Sequence, residues 1–233
     1  MSNQRDTGHV SLVAALLGIL TALLAGCVFH PQSENVIDEA AAHGFIYAII
    51  SGSRSQDAYG DKLTVDRETA DGGRERIYES DFKGLKPWRL QIADLDGDGW
   101  SEIVTAVRKS THFDPEEKNR LFVFNYDGER LTKKWTGSRI AGDWREFHVG
   151  DLLPIPGEEL LFIESLSDGR ERLSVYYWFD FGFVSLAVSE PYDSPIEELA
   201  IAGENRLSLR LASSESRTLM VDNGTIVNVN HDL

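Results

Sequence analysis

Two stretches of the chain carry the same pattern of strand, acidic loop and strand, spaced 57 positions apart. Asp94 and Asp151 each follow a strand-like segment, and Glu102 and Glu159 each open the next apolar segment (94 to 151 and 102 to 159). A fixed period of this size is typical of folds built from repeated supersecondary units. Two such units leave room for a weaker one at residues 44–85 and another at residues 196–231, so the sequence predicts about four units.

The segments within each unit have the composition of β-strands. They are rich in β-branched and aromatic residues, and turn signals such as Asp127-Gly128 and Asn223-Gly224 separate them. No helical apolar period is sustained after position 44. The predicted fold is all-β, a small or partial β-propeller of about four four-stranded blades; a β-sandwich with coincidental spacing is the alternative. The predicted strands are residues 46–50, 62–66, 76–82, 89–93, 102–107, 121–126, 146–149, 160–165, 173–178 and 207–211.

The N-terminal region predicts where the protein is located. Residues 10–24 form an apolar run of the length of a signal-peptide core, shorter than the roughly 20 residues that a membrane-spanning helix needs. Cys27, the only cysteine, follows Leu24-Ala25-Gly26, which resembles a bacterial lipobox. We therefore expect a signal peptide at 1–26, a lipidated tether at 27–43 with a short helical turn at 37–43, and a β-domain at 44–233. The alternative is a buried thiol in an uncleaved membrane anchor.

Net charge and cysteine content restrict the partners and the means of stabilisation. The formal net charge of −15 argues against nucleic acid as a partner. With one cysteine no disulfide can form within the chain, so packing or a metal must hold the fold. The expected location is the bacterial cell envelope, with the lipid anchor in a membrane and the domain on its extracytoplasmic side.

The loop from Asp94 to Glu102 concentrates carboxylates in a pattern suited to a hard cation. Asp94, Asp96 and Asp98 occupy alternate positions, and glycines between them permit a tight coil. Ca²⁺ takes six to eight oxygen ligands, which the three aspartates, the Trp100 carbonyl and Glu102 could supply. The alternative is an acidic surface turn without metal.

The same loop carries a family resemblance. Residues 92–104, Ile-Ala-Asp-Leu-Asp-Gly-Asp-Gly-Trp-Ser-Glu-Ile-Val, resemble the FG-GAP or VCBS repeat of integrin-α-like β-propellers. The resemblance implies one structural calcium ion held by Asp94, Asp96, Asp98, Glu102 and the Trp100 carbonyl. The second copy has Leu153 and Ile155 at positions three and five, so it is not expected to bind calcium.

Three other residues are candidates for ligand binding. His112 and Asp114 lie in one predicted loop, and Trp135 belongs to a dense group of aromatic residues. His148 is interpreted as a packing residue of a strand, and the paired glutamates of the chain as surface charge.

The resulting functional hypothesis is a membrane-anchored, calcium-stabilised scaffold that binds another envelope protein or a glycan and is not an enzyme. The alternative is a carbohydrate-active hydrolase or lyase that uses carboxylates at the blade face. A purely structural envelope protein is a third possibility.

Overall fold

The computed structural model describes residues 34–52, 58–137 and 140–229. These residues contain sixteen β-strands and no helix. The all-β prediction is therefore confirmed. The strands are β1 (Asn35–Ala42), β2 (Phe45–Ser51), β3 (Lys62–Glu68), β4 (Arg74–Asp81), β5 (Pro87–Ala93), β6 (Glu102–Lys109), β7 (Lys118–Tyr126), β8 (Leu131–Thr136), β9 (Asp143–Gly150), β10 (Glu159–Ser165), β11 (Glu171–Phe179), β12 (Gly182–Ser189), β13 (Ile196–Gly203), β14 (Arg206–Leu211), β15 (Ser216–Asp222) and β16 (Thr225–Asn228).

Each group of four consecutive strands forms an antiparallel meander. The first meander is β1–β4, the second β5–β8, the third β9–β12 and the fourth β13–β16. A short parallel pair between β12 and β16 joins the third and fourth meanders into one eight-stranded sheet. The end strands of that sheet, β9 and β13, also pack together, so that the sheet nearly closes on itself.

The second strands of the second and third meanders, β6 and β10, are buried on both of their faces. Along β6, Ile103 and Val107 belong to the core shared with the first meander, whereas Val104 and Ala106 belong to the core shared with the third. Along β10, residues alternate in the same way between the cores shared with the second and fourth meanders. Because neighbouring residues of a strand point to opposite faces, burial of both faces requires a continuous apolar run. The stacking of meanders in chain order thus explains the apolar segments 102–107 and 160–165.

The fourth meander has a different burial pattern. In β14 the residues alternate between buried and exposed, with Leu207, Leu209 and Leu211 facing the third meander. Arg210, on the other face, pairs with Glu197 and Glu198 of β13. One face of this meander is therefore polar and open to solvent.

The first strands of successive meanders lie side by side and are linked by side chains. β1 packs against β5, β5 against β9, and β9 against β13; among the described strands no comparable contact joins β13 to β1. Asp38 of β1 accepts a hydrogen bond from the Leu90 amide of β5 at 2.9 Å. Gln91 of β5 donates to the Phe147 carbonyl and accepts from the Val149 amide of β9, both at 2.9 Å. These bonds satisfy backbone groups on strand edges that no neighbouring strand covers.

All ten predicted strand segments are present, but the helical turn predicted in the tether is not. The ten predicted segments coincide with β2 to β7, β9 to β11 and β14, and the Asp-Gly and Asn-Gly pairs occupy turns between strands. The predicted helical turn at 37–43 is instead strand β1, because its residues pair with β2 from Asn35 to Ala42. The proposed signal peptide and Cys27 lie outside the described residues. Within those residues, no helix has the length and apolar character needed to cross a membrane.

We predict that Gln91→Leu lowers the stability of the domain. The leucine fills a similar volume but leaves the Phe147 carbonyl and the Val149 amide without their partner, at a cost of about 1–3 kcal/mol for each unpaired group. Urea unfolding followed by tryptophan fluorescence measures the loss. Thr132→Ser, on the exposed side of β8, is the control and should change stability little; equal stability of Gln91→Leu and the wild type would contradict the proposed link.

Candidate functional site

The acidic loop, residues 94–102, connects β5 to β6 and is held in shape mainly by its own first carboxylate. Asp94 accepts hydrogen bonds from the amides of Gly97 at 2.8 Å, Asp98 at 3.1 Å and Gly99 at 2.8 Å. Gly97 and Gly99 both have positive φ angles, of 71° and 88°, a region that other residues rarely adopt. A side chain at Gly97 would also collide with the backbone of Gly157. The loop is thus a tight coil that packs on the equivalent loop of the third meander.

Lys134 of β8 reaches into this loop. Its ammonium lies 2.7 Å from Oε1 of Glu102, which is only 2% exposed, and it also forms an ion pair with Asp96. It lies 5.3 Å from the ring centre of Trp178, a cation–π distance. Desolvation, the largest single influence, lowers the pKa of Lys134, but the hydrogen bonds to Asp96 and Glu102 more than offset it, so the pKa lies above its ordinary value. The lysine is therefore a charged, nearly buried counter-ion.

The arrangement bears directly on the predicted calcium site. Carboxylate oxygens of Asp94, Asp96 and Glu102 lie within 4.8 Å of one another. Asp98 is not in this group and instead accepts a hydrogen bond from the Trp100 amide at 2.8 Å, while the Trp100 side chain is 78% exposed. With the Lys134 ammonium between Asp96 and Glu102, the residues do not fit a calcium ion, which requires six or more oxygens at 2.3–2.6 Å. Calcium binding by this loop stays a prediction of the sequence, one that this arrangement of side chains does not favour.

The remaining candidate residues have mainly structural contacts. Asp114 pairs with the buried Arg120 at 2.8 Å, and that hydrogen bond is the main reason why the pKa of Asp114 lies below its ordinary value. His112 is exposed and contacts the ring of Phe113 edge-on. Trp135 packs edge-to-face on Phe183 of the third meander, with ring centres 5.2 Å apart. Their role in ligand binding stays a prediction, as does lipidation of Cys27, which lies outside the described residues.

A second polar cluster lies where β5 and β9 meet. Arg89, Glu146 and His148, which we call the His148 cluster, come from the first strands of the second and third meanders. Glu146 Oε1 lies 3.5 Å from His148 Nε2 and 3.9 Å from a terminal nitrogen of Arg89. Arg145 approaches the other Glu146 oxygen at 3.4 Å and is itself held by Glu171. One carboxylate thus faces an imidazole and two guanidinium groups.

Two nitrogens of this cluster are buried without a hydrogen bond. His148 Nε2 and Arg89 Nε have no hydrogen-bond partner within residues 34–52, 58–137 and 140–229. Buried polar atoms are nearly always paired, so an unpaired one calls for an explanation, of which a catalytic role is one. The His148 side chain retains 22% exposure, so solvent reaches part of its ring.

Burial favours the neutral form of His148. Desolvation is the main effect and lowers the pKa of His148 below 6.5; Arg89 and Arg145 lower it further, and Glu146 opposes them. A neutral imidazole beside a carboxylate can accept a proton from water or from a substrate, which makes this cluster the best candidate for chemistry.

Comparisons with known proteins identify the fold more clearly than the function. No protein-family model matches the chain, and no curated protein matches it. The resemblance of the acidic loop to FG-GAP or VCBS repeats therefore stays a prediction.

Solved structures do resemble this chain. One, from Bacteroides uniformis ATCC 8492, is provisionally named a 6-phosphogluconolactonase and matches with a TM-score of 0.56 at 12% identity over 86% of this chain. A second with the same provisional name, from Bacteroides fragilis NCTC 9343, covers 84% of this chain with a TM-score of 0.43 at 10% identity. The chain spans about half of the length of the first, 55%.

The likeness corrects one expectation. The sequence led to the prediction that the chain is a binding scaffold and not an enzyme, because the ligand set of the acidic loop leaves no open position for a substrate. This prediction is overturned, because a solved structure with this fold is provisionally named a 6-phosphogluconolactonase, so that the fold does not exclude an enzyme. At 12% identity the likeness extends to the fold and transfers no catalytic residues.

We predict that the pKa of His148 responds in opposite directions to its neighbours. Glu146→Gln removes the charge that raises the pKa and should lower it, whereas Arg89→Met removes a positive charge and should raise it. Titration of the imidazole protons by NMR measures both shifts, with His112→Asn used to assign the signals. Changes of the same sign in the two variants would contradict the geometry of the cluster.

Proposed function

We propose that this protein is a hydrolase of a sugar-derived lactone or related ester, and that the His148 cluster is its active site. The observation that carries the proposal is the half-buried imidazole whose Nε2 faces Glu146 without a hydrogen bond, next to an unpaired arginine nitrogen. The provisional name of the first solved structure supports the substrate class. Hydrolysis of a carbohydrate-type substrate was the alternative function predicted from the sequence. Here a histidine base, rather than a pair of carboxylates, carries it out.

The chemistry assigns one task to each side chain. The Glu146 carboxylate, 3.5 Å from Nε2, favours the tautomer that carries its proton on Nε2, which leaves Nδ1 as the proton acceptor. As the oxygen of a water molecule attacks the lactone carbonyl carbon, His148 takes the proton of that water. Arg89 donates hydrogen bonds to the carbonyl oxygen as it becomes negative. The ring C–O bond then breaks, the leaving alkoxide takes the proton from His148, and the product is an open-chain hydroxy acid.

The charge around the cluster also suits such a product. Arg89 and Arg145 place positive charge beside Glu146 in a protein whose net charge is −15. A developing oxyanion or a carboxylate product is therefore stabilised locally, while the acidic surface elsewhere favours release of the anion.

We predict that the purified domain accelerates hydrolysis of glucono-δ-lactone or its 6-phosphate above the spontaneous rate. His148→Asn should lower kcat by about 100-fold or more, the usual contribution of a general base. Release of acid, followed with a pH indicator or a pH-stat, measures the rate. His43→Asn, which alters an exposed histidine outside the cluster, should leave the rate unchanged.

The pH profile separates a catalytic base from a structural histidine. Neutral His148 is the active form, so the rate should fall as the pH drops through a pKa below 6.5. Glu146→Gln should move this fall to lower pH, because it lowers the pKa of His148. No rate above the spontaneous one, or equal rates for His148→Asn and the wild type, would refute the proposal.

We also propose that the four meanders are blades of an open propeller. Support comes from the side-by-side first strands and the face-to-face cores between successive meanders. The first and last blades are then not joined through their first strands, and the polar face of the fourth blade borders the opening.

Finally, we propose that the chain is a lipoprotein of the bacterial cell envelope, with Cys27 as its anchor and the β-domain on the extracytoplasmic side. The support is the apolar run at 10–24 followed by Leu24-Ala25-Gly26-Cys27. An envelope partner, a protein or a glycan, is compatible with the acidic surface, and nucleic acid is not.

We predict that Cys27→Ser moves the protein from the membrane fraction to the soluble fraction of a bacterial host. Two or three acyl chains give stable anchoring, at about 0.8 kcal/mol for each buried methylene, and serine cannot accept them in this pathway. Fractionation with immunoblotting measures the distribution, and Val28→Ala is the control that keeps the cysteine. Retention of Cys27→Ser in the membrane would indicate an uncleaved anchor instead.

A further inference from the structure

The second and third meanders provide an internal comparison for the acidic loop. Glu102 Oε2 accepts a hydrogen bond from the Leu95 amide at 2.9 Å, and Glu159 Oε2 accepts one from the Leu152 amide at 2.9 Å. The two glutamates thus close the two loops in the same way. Asp96, third in the first loop, corresponds to Leu153 in the second.

The position of Lys134 also has an equivalent in the third meander. Val123 of β7 pairs with Trp135, and the next register pair is Phe124 with Lys133, so Lys134 is the extra residue of a β-bulge in β8. Val175 of β11 pairs with Ala187, and the next pair is Tyr176 with Ser185. Leu186 is therefore the extra residue of the equivalent bulge in β12.

The two meanders differ at both positions together. Asp96 and Lys134 form an ion pair in the second meander, whereas Leu153 and Leu186 both pack against the apolar core in the third. In the first meander the extra residue of the bulge between β3 and β4 is also apolar, Ile77. The lysine thus occurs in the meander that has the additional carboxylate.

We propose that the Lys134 ammonium is the resident counter-ion of the acidic loop and takes the place that a calcium ion would have. It bridges Asp96 and the buried Glu102, and its charge lies over the ring of Trp178 of the third meander. The loop is then closed by a side chain of its own chain, and its conformation does not depend on divalent metal. Calcium would bind only after the ammonium is removed.

The test compares thermal unfolding of four proteins in excess EDTA and in excess CaCl₂. The wild type should unfold at the same temperature in both. Lys134→Leu leaves two carboxylates without their counter-ion and should lower the Tm in EDTA by about 10 °C. Calcium should restore part of this loss, because the freed carboxylates can now bind the ion.

The double variant and a neighbouring lysine are the matched controls. Asp96→Leu with Lys134→Leu reproduces the pair found in the third meander, so it should recover most of the Tm in EDTA and should not respond to calcium. Lys133→Leu changes the adjacent exposed lysine and should behave as the wild type. A rise of several degrees in the wild-type Tm with calcium would overturn the proposal, as would an unchanged Tm of Lys134→Leu in EDTA. If Lys134→Leu does not fold, the wild type and the double variant still decide the question.

Discussion

Burial of β6 and β10 on both faces is the constraint on which the rest of the structure depends. Each of these strands contributes alternate side chains to two different cores, so that every meander is fixed by its neighbours rather than by a core of its own. A single four-stranded layer must bury its apolar face against another layer to be stable. Stacking in chain order supplies the missing contacts. It also brings the first strands close enough for Asp38 and Gln91 to bridge them.

This constraint explains what could be predicted from the sequence. Three features of the sequence reflect local geometry: the continuous apolar runs, the Asp-Gly and Asn-Gly turns, and the spacing of 57 residues. From these features the all-β class and the repeated unit were predicted correctly. The N-terminal strand β1 was missed because residues 35–42 contain three successive alanines and two acidic residues, a composition that does not favour a strand. Pairing with β2 overrides this weak local preference.

The candidate site could be predicted only in part, for a different physical reason. The acidic loop is visible because its carboxylates are close in sequence, but the lysine that neutralises them is 32 residues beyond Glu102. Likewise, Arg89 and Glu146 carry no motif and are brought together by the contact between β5 and β9. Arg89 and Glu146 occupy equivalent positions in the two units, as do Gln91 and His148. The repeat therefore indicates which residues belong to this cluster. The repeat predicts their proximity only when the first strands of the two units are known to be neighbours.

The polar face of the fourth meander limits where repeated units can be lost or added. Terminal repeats of stacked proteins stay soluble only when their outer surface is hydrophilic. The Arg210 face meets this requirement, whereas the inner side of the third meander would present Leu161 and Ile163 to water if the fourth were lost. Shortening from this end should therefore produce an aggregating product, and a duplicated unit would be accommodated between existing ones rather than beyond the last.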